Sequence, residues 1–267
     1  MRFFVKIFQF FFNYFDLKVI KLKDYKKLYL MSRSADDLDI LRNIPPQDQC
    51  FFIECLNVSK SQLRQDIMAL IYNQRKLGGF FVEFGAFDGI TLSNTWLLEK
   101  SFGWHGILAE PTISLQNEIK NSRSAILETA CVWSNSDETV DFSESTLGEL
   151  STISSYTQTD NHSNSRVEKN NYKVKTISLL DMLKNNNAPL HIDFLSVDTE
   201  GSEYEILSNF DFLTYSFGFI AVEHNYGENE IKLDNLLIKN GYTRILKSSS
   251  KFDAWYVPTA SIIQKET

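Results

Sequence analysis

The residues from Val82 to Gly89, V-E-F-G-A-F-D-G, set two acids and two glycines around one turn that follows an apolar run. Glycine lets a backbone approach a ligand where a Cβ would collide, and such turns open nucleotide pockets in α/β sheets. The acids narrow the ligand. A pyrophosphate favours bare backbone amides at a turn of this kind. Glu83 and Asp88 repel phosphate and suit a cation, such as the ammonium and sulfonium groups of S-adenosylmethionine (SAM). Taken alone, the turn is also compatible with an ordinary tight turn.

Further acids fall at regular places downstream. Glu110 lies roughly 20 residues past the glycine turn, where an acid can hydrogen-bond ribose hydroxyls. Asp198, Glu200, Glu223 and His224 follow two later apolar runs, Ile192 to Val197 and Phe217 to Val222. If these runs are parallel strands, their carboxyl ends share one sheet edge, where open α/β sheets bind ligands. Any one acid can be a solvated loop residue or a helix cap, and Asp198 could cap a helix beginning near Gly201. That reading is hard to sustain for the whole set.

The elements needed to position these residues can be read along the chain. A helix over 59–76 precedes strand one, Phe80 to Phe84. A helix over Ser93 to Ser101 leads to strand two, Ile107 to Ala109, and a helix near Ser114 to Asn121 leads to strand three, Ala125 to Val132. Residues 134–171 are polar and read as a lid, a binding loop or a mobile insert. A short strand, Tyr172 to Thr176, and a helix, Leu179 to Lys184, close it. Strand four (Ile192 to Val197), a helix from Glu203, strand five (Phe217 to Val222) and a helix over Asn229 to Asn240 follow. Tyr242 to Lys247 and Ala254 to Val257 form an antiparallel end. The alternation predicts a mostly parallel seven-stranded α/β sheet with right-handed crossovers.

Upstream, Ser34-Ala35-Asp36-Asp37 reads as a helix start and Pro45-Pro46 as a break. Residues 1–22 place Arg2, Lys6, Gln9, Asn13 and Asp16 four, three, four and three apart, a narrow polar stripe on an otherwise apolar helix. Charge interrupts it too often for a membrane span, and no small-residue cleavage site follows. It reads as a helix docked on the domain or on a second subunit, or as one that lies on a membrane surface or a partner. A homodimer would bury it. The expected organisation is an N-terminal helical extension over 1–77 and a ligand-binding domain over 78–267 carrying the insert.

Bulk properties agree. The chain has 267 residues, 43% hydrophobic and 23% charged, with a formal net charge of −7. It can bury a large core, and general nucleic-acid binding by charge is excluded. Cys50, Cys55 and Cys131 have neither disulfide density nor zinc spacing and read as free thiols in a reducing compartment. The expected location is the cytoplasm, with the 1–22 helix a means of association at the inner face of the membrane.

The blocks V-E-F-G-A-F-D-G, I-L-A-E-P, D-F-L-S-V-D-T-E-G-S-E-Y-E-I-L and V-E-H-N resemble, in order and spacing, the FkbM-type SAM-dependent methyltransferases. The resemblance covers about residues 78–257, and Asp198 to Glu203 (D-x-E-G-x-E) is its most specific mark. It implies a Rossmann-like class I methyltransferase fold and an O-methyltransferase acting on a sugar, glycan or related metabolite. By that resemblance Glu83, Gly85, Ala86, Asp88 and Gly89 belong to the first SAM motif and Glu110 is the ribose acid. Ala130 and Cys131 fall beside the adenine, and Asp198, Glu200, Glu203, Glu223 and His224 form the acidic blocks.

His224 or Asp198, beside Glu223, is then the expected base for the acceptor hydroxyl, His224 being favoured by its near-neutral ordinary pKa. A structural hydrogen bond is the bland role for His224. Asp198, Glu200, Glu223 and His224 also make a possible Mg²⁺ or Mn²⁺ site. Two other functions compete. An NAD or nucleotide-sugar oxidoreductase is disfavoured by the turn, which is not Gly-x-Gly-x-x-Gly. A non-catalytic docking protein in a glycan-synthesis assembly would not bind the cofactor.

Overall fold

The structure is a computed structural model and describes residues 22–145, 152–153 and 168–263. The amphipathic segment 1–22 lies outside the described residues apart from Leu22. Contacts divide the chain into two units, one ending at Ile44 and one beginning at Pro45.

The described part of the first unit is one helix, α1 (Leu22–Asn43). The helix start expected at Ser34 lies inside it. Ser34 turns its hydroxyl back onto the Leu30 carbonyl at 2.9 Å instead of capping a new helix. The prolines act as expected: α1 stops at Asn43, and α2 (Pro46–Cys55) begins with a proline in its first turn, where no N–H is needed.

The second unit is built on a seven-stranded sheet. Its strands are β1 (Phe80–Phe84), β2 (His105–Ala109), β3 (Ile126–Glu128), β8 (His191–Val197), β9 (Ser216–Glu223), β10 (Tyr242–Ile245) and β11 (Asp253–Pro258). Their order is β10-β11-β9-β8-β1-β2-β3. From β3 to β9 all neighbours are parallel, while β11 runs antiparallel to β9 and β10. The strand order reverses at β1, which lies between β8 and β2, so a crevice opens at the carboxyl ends there.

Alternation along β1 explains both faces. Phe80, Val82 and Phe84 join Ile107, Leu195 and Ile220 in the main core. Phe81 and Glu83 point the other way. That second face is covered in part by α3 (Gln65–Tyr72), whose Tyr72 stacks on Phe219 with ring centroids 5.9 Å apart. Asp193, an oddity in an apolar strand, takes Lys76 Nζ on both oxygens at 2.8 Å and the Phe80 N–H at 2.8 Å. It therefore fastens the segment entering β1 to β8.

Helix α3 is much shorter than the 59–76 expected. Arg64 stands in the left-handed region at φ 69°, so no helix passes through it. Ser61 and Gln65 spend their polar groups on each other, and the Gln65 N–H donates to Ser61 Oγ at 2.9 Å. Helix α4 (Trp96–Phe102) likewise starts three residues late, because residues 93–95 bind the Glu83 carboxylate.

The third predicted strand is two strands. After β3, the Glu128 carboxylate accepts the Ala130 N–H at 2.8 Å and turns the chain out of the main sheet. Residues Cys131–Trp133 form β4 in a second sheet with β5 (Thr139–Ser145), β6 (Thr152–Ile153) and β7 (Glu168–Ser178), in the order β4-β7-β5-β6. The polar insert is therefore not a plain loop. Its described residues are mostly sheet, with Phe142 packed beside Cys131 and Val174 in a small core. The remaining helices, α5 (Gln116–Ser122), α6 (Leu179–Asn185), α7 (Glu203–Ser208), α8 (Asn229–Lys239) and α9 (Thr259–Ile263), connect or end the strands.

Candidate active site

An open cavity of about 1100 Å³, its mouth included, lies at the carboxyl ends of β1, β2, β8 and β9. Gly85, Phe87, Glu110, Asp198, Glu200 and Glu223 line it from the strand ends. Cys131, Val132 and Phe142 wall it from the second sheet, Gln62 from the segment before α3 and Gln65 from the first position of α3. Phe252 and Asp253 also line it. Asp253 reaches the same edge because β11 runs antiparallel and pairs it with Glu223.

Gly85 makes the closest approach. Its φ is +70°, and a Cβ there would stand 2.3 Å from the Asp198 carbonyl oxygen. Only glycine lets the ends of β1 and β8 meet this closely. Gly89 also has positive φ, +79°, and a Cβ would press on Arg123 and Ser122.

Glu83 is buried and works on the protein itself. It accepts the Asn94 N–H at 2.6 Å, the Ser93 hydroxyl at 3.0 Å and the Thr95 hydroxyl. Burial raises its pKa, opposed by Arg123 and these donors. Arg123, fully buried, stands behind the turn. It donates to Glu99, the Gly89 carbonyl, Ser93 and Thr95 at 2.7 to 3.1 Å. Glu83 and Arg123 together hold residues 89–95 as one wall of the cavity.

Asp88, expected at the cofactor, spends its carboxylate locally. It accepts the Ile90 and Thr91 N–H groups at 2.7 and 2.6 Å and the Thr91 hydroxyl at 2.6 Å. This is an Asx-type turn, and the carboxylate does not line the cavity. Gly89 and Ala86 also lie behind the lining. Ala86 is buried with its N–H toward the Ala109 carbonyl, and Phe87 takes its place at the surface. Ala130 is used in the Glu128 turn, while Cys131 reaches the cavity as expected.

Glu110 is where the ribose acid was expected. One oxygen accepts the Thr112 N–H at 2.8 Å and the other the Phe87 N–H at 2.9 Å. Each oxygen keeps a lone pair for a ligand. Burial pushes its pKa up to about 6, against those two bonds.

Asp198, Glu203 and Glu223 converge, with one oxygen from each within 4.8 Å of the others. Asp198 is pushed up to about 7 by burial, then by the charges of Glu203 and Asp253. Glu223 is raised well above the ordinary carboxyl range by burial and by Asp198, Glu200 and Glu203. The adjacent charges allow one proton to be shared between Asp198 and Glu223. Asp198 does not cap the following helix. Glu203 takes the Thr199 and Gly201 N–H groups at 2.9 and 3.0 Å instead.

His224 turns away from this cluster. It follows Glu223, the last residue of β9, and successive strand residues face opposite sides. Its Nε2 meets the Asp253 carbonyl at 3.0 Å and its Nδ1 accepts the Tyr226 N–H at 3.0 Å. Both ring nitrogens are occupied, burial lowers its pKa, and it does not line the cavity. The expected base therefore has the bland structural role. Glu200 lines the cavity, but its left-handed backbone, φ 58°, leaves it outside the three-carboxylate group.

Sequence reading missed Gln65, Asn94, Asp253 and Arg123. Gln65 Nε2 donates to Asp253 Oδ2 at 2.6 Å, and Asn94 Nδ2 to Ser196 Oγ at 2.9 Å. Asp253 was legible once β11 was taken as antiparallel. The others leave no local signal.

A mostly parallel seven-stranded sheet with an antiparallel end and a cavity over its switch point defines a Rossmann-like methyltransferase fold. Residues 83–255 match the family described as methyltransferase FkbM domain, and the chain belongs to that family. None of the curated proteins compared with it matches the chain. Methyltransferases of this kind generally use SAM. The residues present fit it: a cavity rich in carboxylates, a glycine at the point of closest backbone approach, and at Glu110 a buried carboxylate in the lining with a lone pair left on each oxygen. Among the described residues, no helix is long and apolar enough to cross a membrane.

Proposed function

We propose that the protein is a SAM-dependent O-methyltransferase acting on a hydroxyl of an uncharged sugar, glycan or related metabolite. The observation that carries this reading is the charge of the cavity. Glu83, Glu110, Asp198, Glu200, Glu223 and Asp253 line it, and no Lys, Arg or His does among the described residues. Such a cavity favours a sulfonium and disfavours phosphorylated, sulfated or carboxylated acceptors.

When bound, SAM supplies an electrophilic methyl group. Glu110 would hold its ribose hydroxyls, and Gly85 would let the backbone approach. Asp198, half-buried at the end of β8, would take the proton of the acceptor hydroxyl. A group titrating near neutrality suits that task. Walls fixed by Glu83, Arg123 and Gln65 hold both reactants in line. Orientation of this kind can supply roughly 7–11 kcal/mol. Buried Cys55 and Cys131, both free thiols with raised pKa, fit a cytoplasmic enzyme.

The test is mass-spectrometric detection of methyl transfer to a panel of neutral and anionic glycans. A gain of one methyl on a neutral acceptor, lost in Asp198→Asn, is expected. Transfer confined to phosphorylated or carboxylated acceptors would overturn the acceptor class.

A further inference from the structure

We propose that Asp198, Glu203 and Glu223 hold a divalent cation on the floor of the cavity; the inference rests on the methyltransferase reading for its role, not for its geometry. One oxygen from each carboxylate lies within 4.8 Å of the other two, a span that a single ion can bridge with little movement. Three acids converging do not by themselves make a site. The second observation is Glu223 Oε2. Glu223 is 8% exposed, and this oxygen is buried with no hydrogen-bond partner, yet the side chain lines the cavity. A buried carboxylate oxygen without a donor is costly unless something positive meets it.

Glu223 meets the Asp198 carboxyl, but that contact is between two acids, and among the described residues no Lys, Arg or His lines the cavity beside Oε2. Glu203 has its Oε1 filled by Thr199 and Gly201 N–H groups, which fixes the side chain and leaves Oε2 for the cluster. Glu200 and Asp253 add further negative charge. Arg244 lies beyond His224 and is engaged with Glu230 and Asp234.

The donor set is all oxygen, which selects Mg²⁺, Mn²⁺ or Ca²⁺ over softer metals. It differs from the set expected from sequence, since Glu203 replaces Glu200 and His224. Three protein oxygens leave coordination positions for water and for the oxygen of an acceptor hydroxyl.

The test uses full-length protein freed of metal with a chelator. Mn²⁺ is titrated in while the free-ion signal is followed by electron paramagnetic resonance, with SAM binding measured in parallel by calorimetry. One Mn²⁺ per chain is expected, displaced by Mg²⁺, and weakened at least tenfold by Glu223→Gln and by Asp198→Asn. Circular dichroism and a urea melt of each variant, expected to be cooperative as in wild type, show that it is folded. No Mn²⁺ uptake by the wild type at millimolar concentration overturns the site. Unchanged uptake by either folded variant overturns it as well. Mn²⁺ uptake without SAM binding would support the site and sink the methyltransferase reading, whereas SAM binding without Mn²⁺ uptake does the reverse.

Discussion

Arg123→Met removes the guanidinium that fixes the wall of the cavity over residues 89–95. The side chain is fully buried and makes four hydrogen bonds, to Glu99, Gly89, Ser93 and Thr95. Glu99 keeps Ser124 and Lys100 on Oε1, but its Oε2 loses the Arg123 Nε at 2.7 Å. Breaking one partner of a buried pair costs about 3–5 kcal/mol, because the other charge is left uncompensated. Methionine retains part of the packing over Phe81 and Trp96, so the loss is chiefly electrostatic. For a chain of this size that predicts a fall in Tm of about 6–20 °C. Glu99→Gln in the same background should recover roughly 1–3 kcal/mol of it, since the orphaned charge is then gone. SAM affinity should drop about tenfold as the wall loosens. Urea melts of the two single variants and the double variant, with calorimetry on each, measure both effects. A loss under about 1 kcal/mol in Arg123→Met, or strictly additive variants, would refute the argument that this buried charge pair holds the site.

Gly85→Ala should cost about 2–5 kcal/mol, combining left-handed strain with the clash against the Asp198 carbonyl, and should abolish SAM binding. Gly103→Ala is the control: its φ is +65° but a Cβ there meets nothing, so it should cost about 1–2 kcal/mol and leave binding intact. Equal losses in the two melts would mean that the close approach is unimportant. Asp66 is fully buried, one oxygen lacks a partner, and burial raises its pKa from 3.8 to about 6. The folded state therefore holds this proton more tightly than the unfolded chain. Stability from this group is present below about pH 4 and falls as pH rises to 6, by about 3 kcal/mol in all. Asp66→Asn should flatten that part of the pH profile of the urea midpoint, and an unchanged profile would contradict the assignment. Glu99, held at about 2 against burial by Ser124, Lys100 and Arg123, acts in the opposite sense, its contribution being lost as pH falls from 4.5 toward 2.

The strands and the sheet edge were legible because apolar runs report burial directly. Ile192 to Val197 and Phe217 to Val222 could hardly be anything but central strands. The convergence of Glu110, Asp198 and Glu223 followed from that topology alone. What the residues hid was how each side chain is spent. Asp88 and Glu83 look like ligands in a motif, yet donors further along the chain claim their oxygens, Thr91 those of Asp88 and Ser93 to Thr95 those of Glu83. His224 was attractive for its ordinary pKa, but strand alternation aims it away once Glu223 faces the cavity. The end of β3 at Glu128 depended on a single side-chain to backbone bond, which no pattern of hydrophobicity reveals. The insert was read as loop because its polar composition masks a sheet with a core as small as Cys131, Phe142 and Val174.

The central claim is that this cavity binds SAM through Glu110 at its ribose side. Calorimetric titration of SAM into wild-type protein and Glu110→Ala, each checked for folding by circular dichroism, tests it most directly. The account predicts one site per chain in the wild type and at least a tenfold loss in the variant. No binding to folded wild-type protein would contradict it and favour a docking protein that retains the fold without the chemistry.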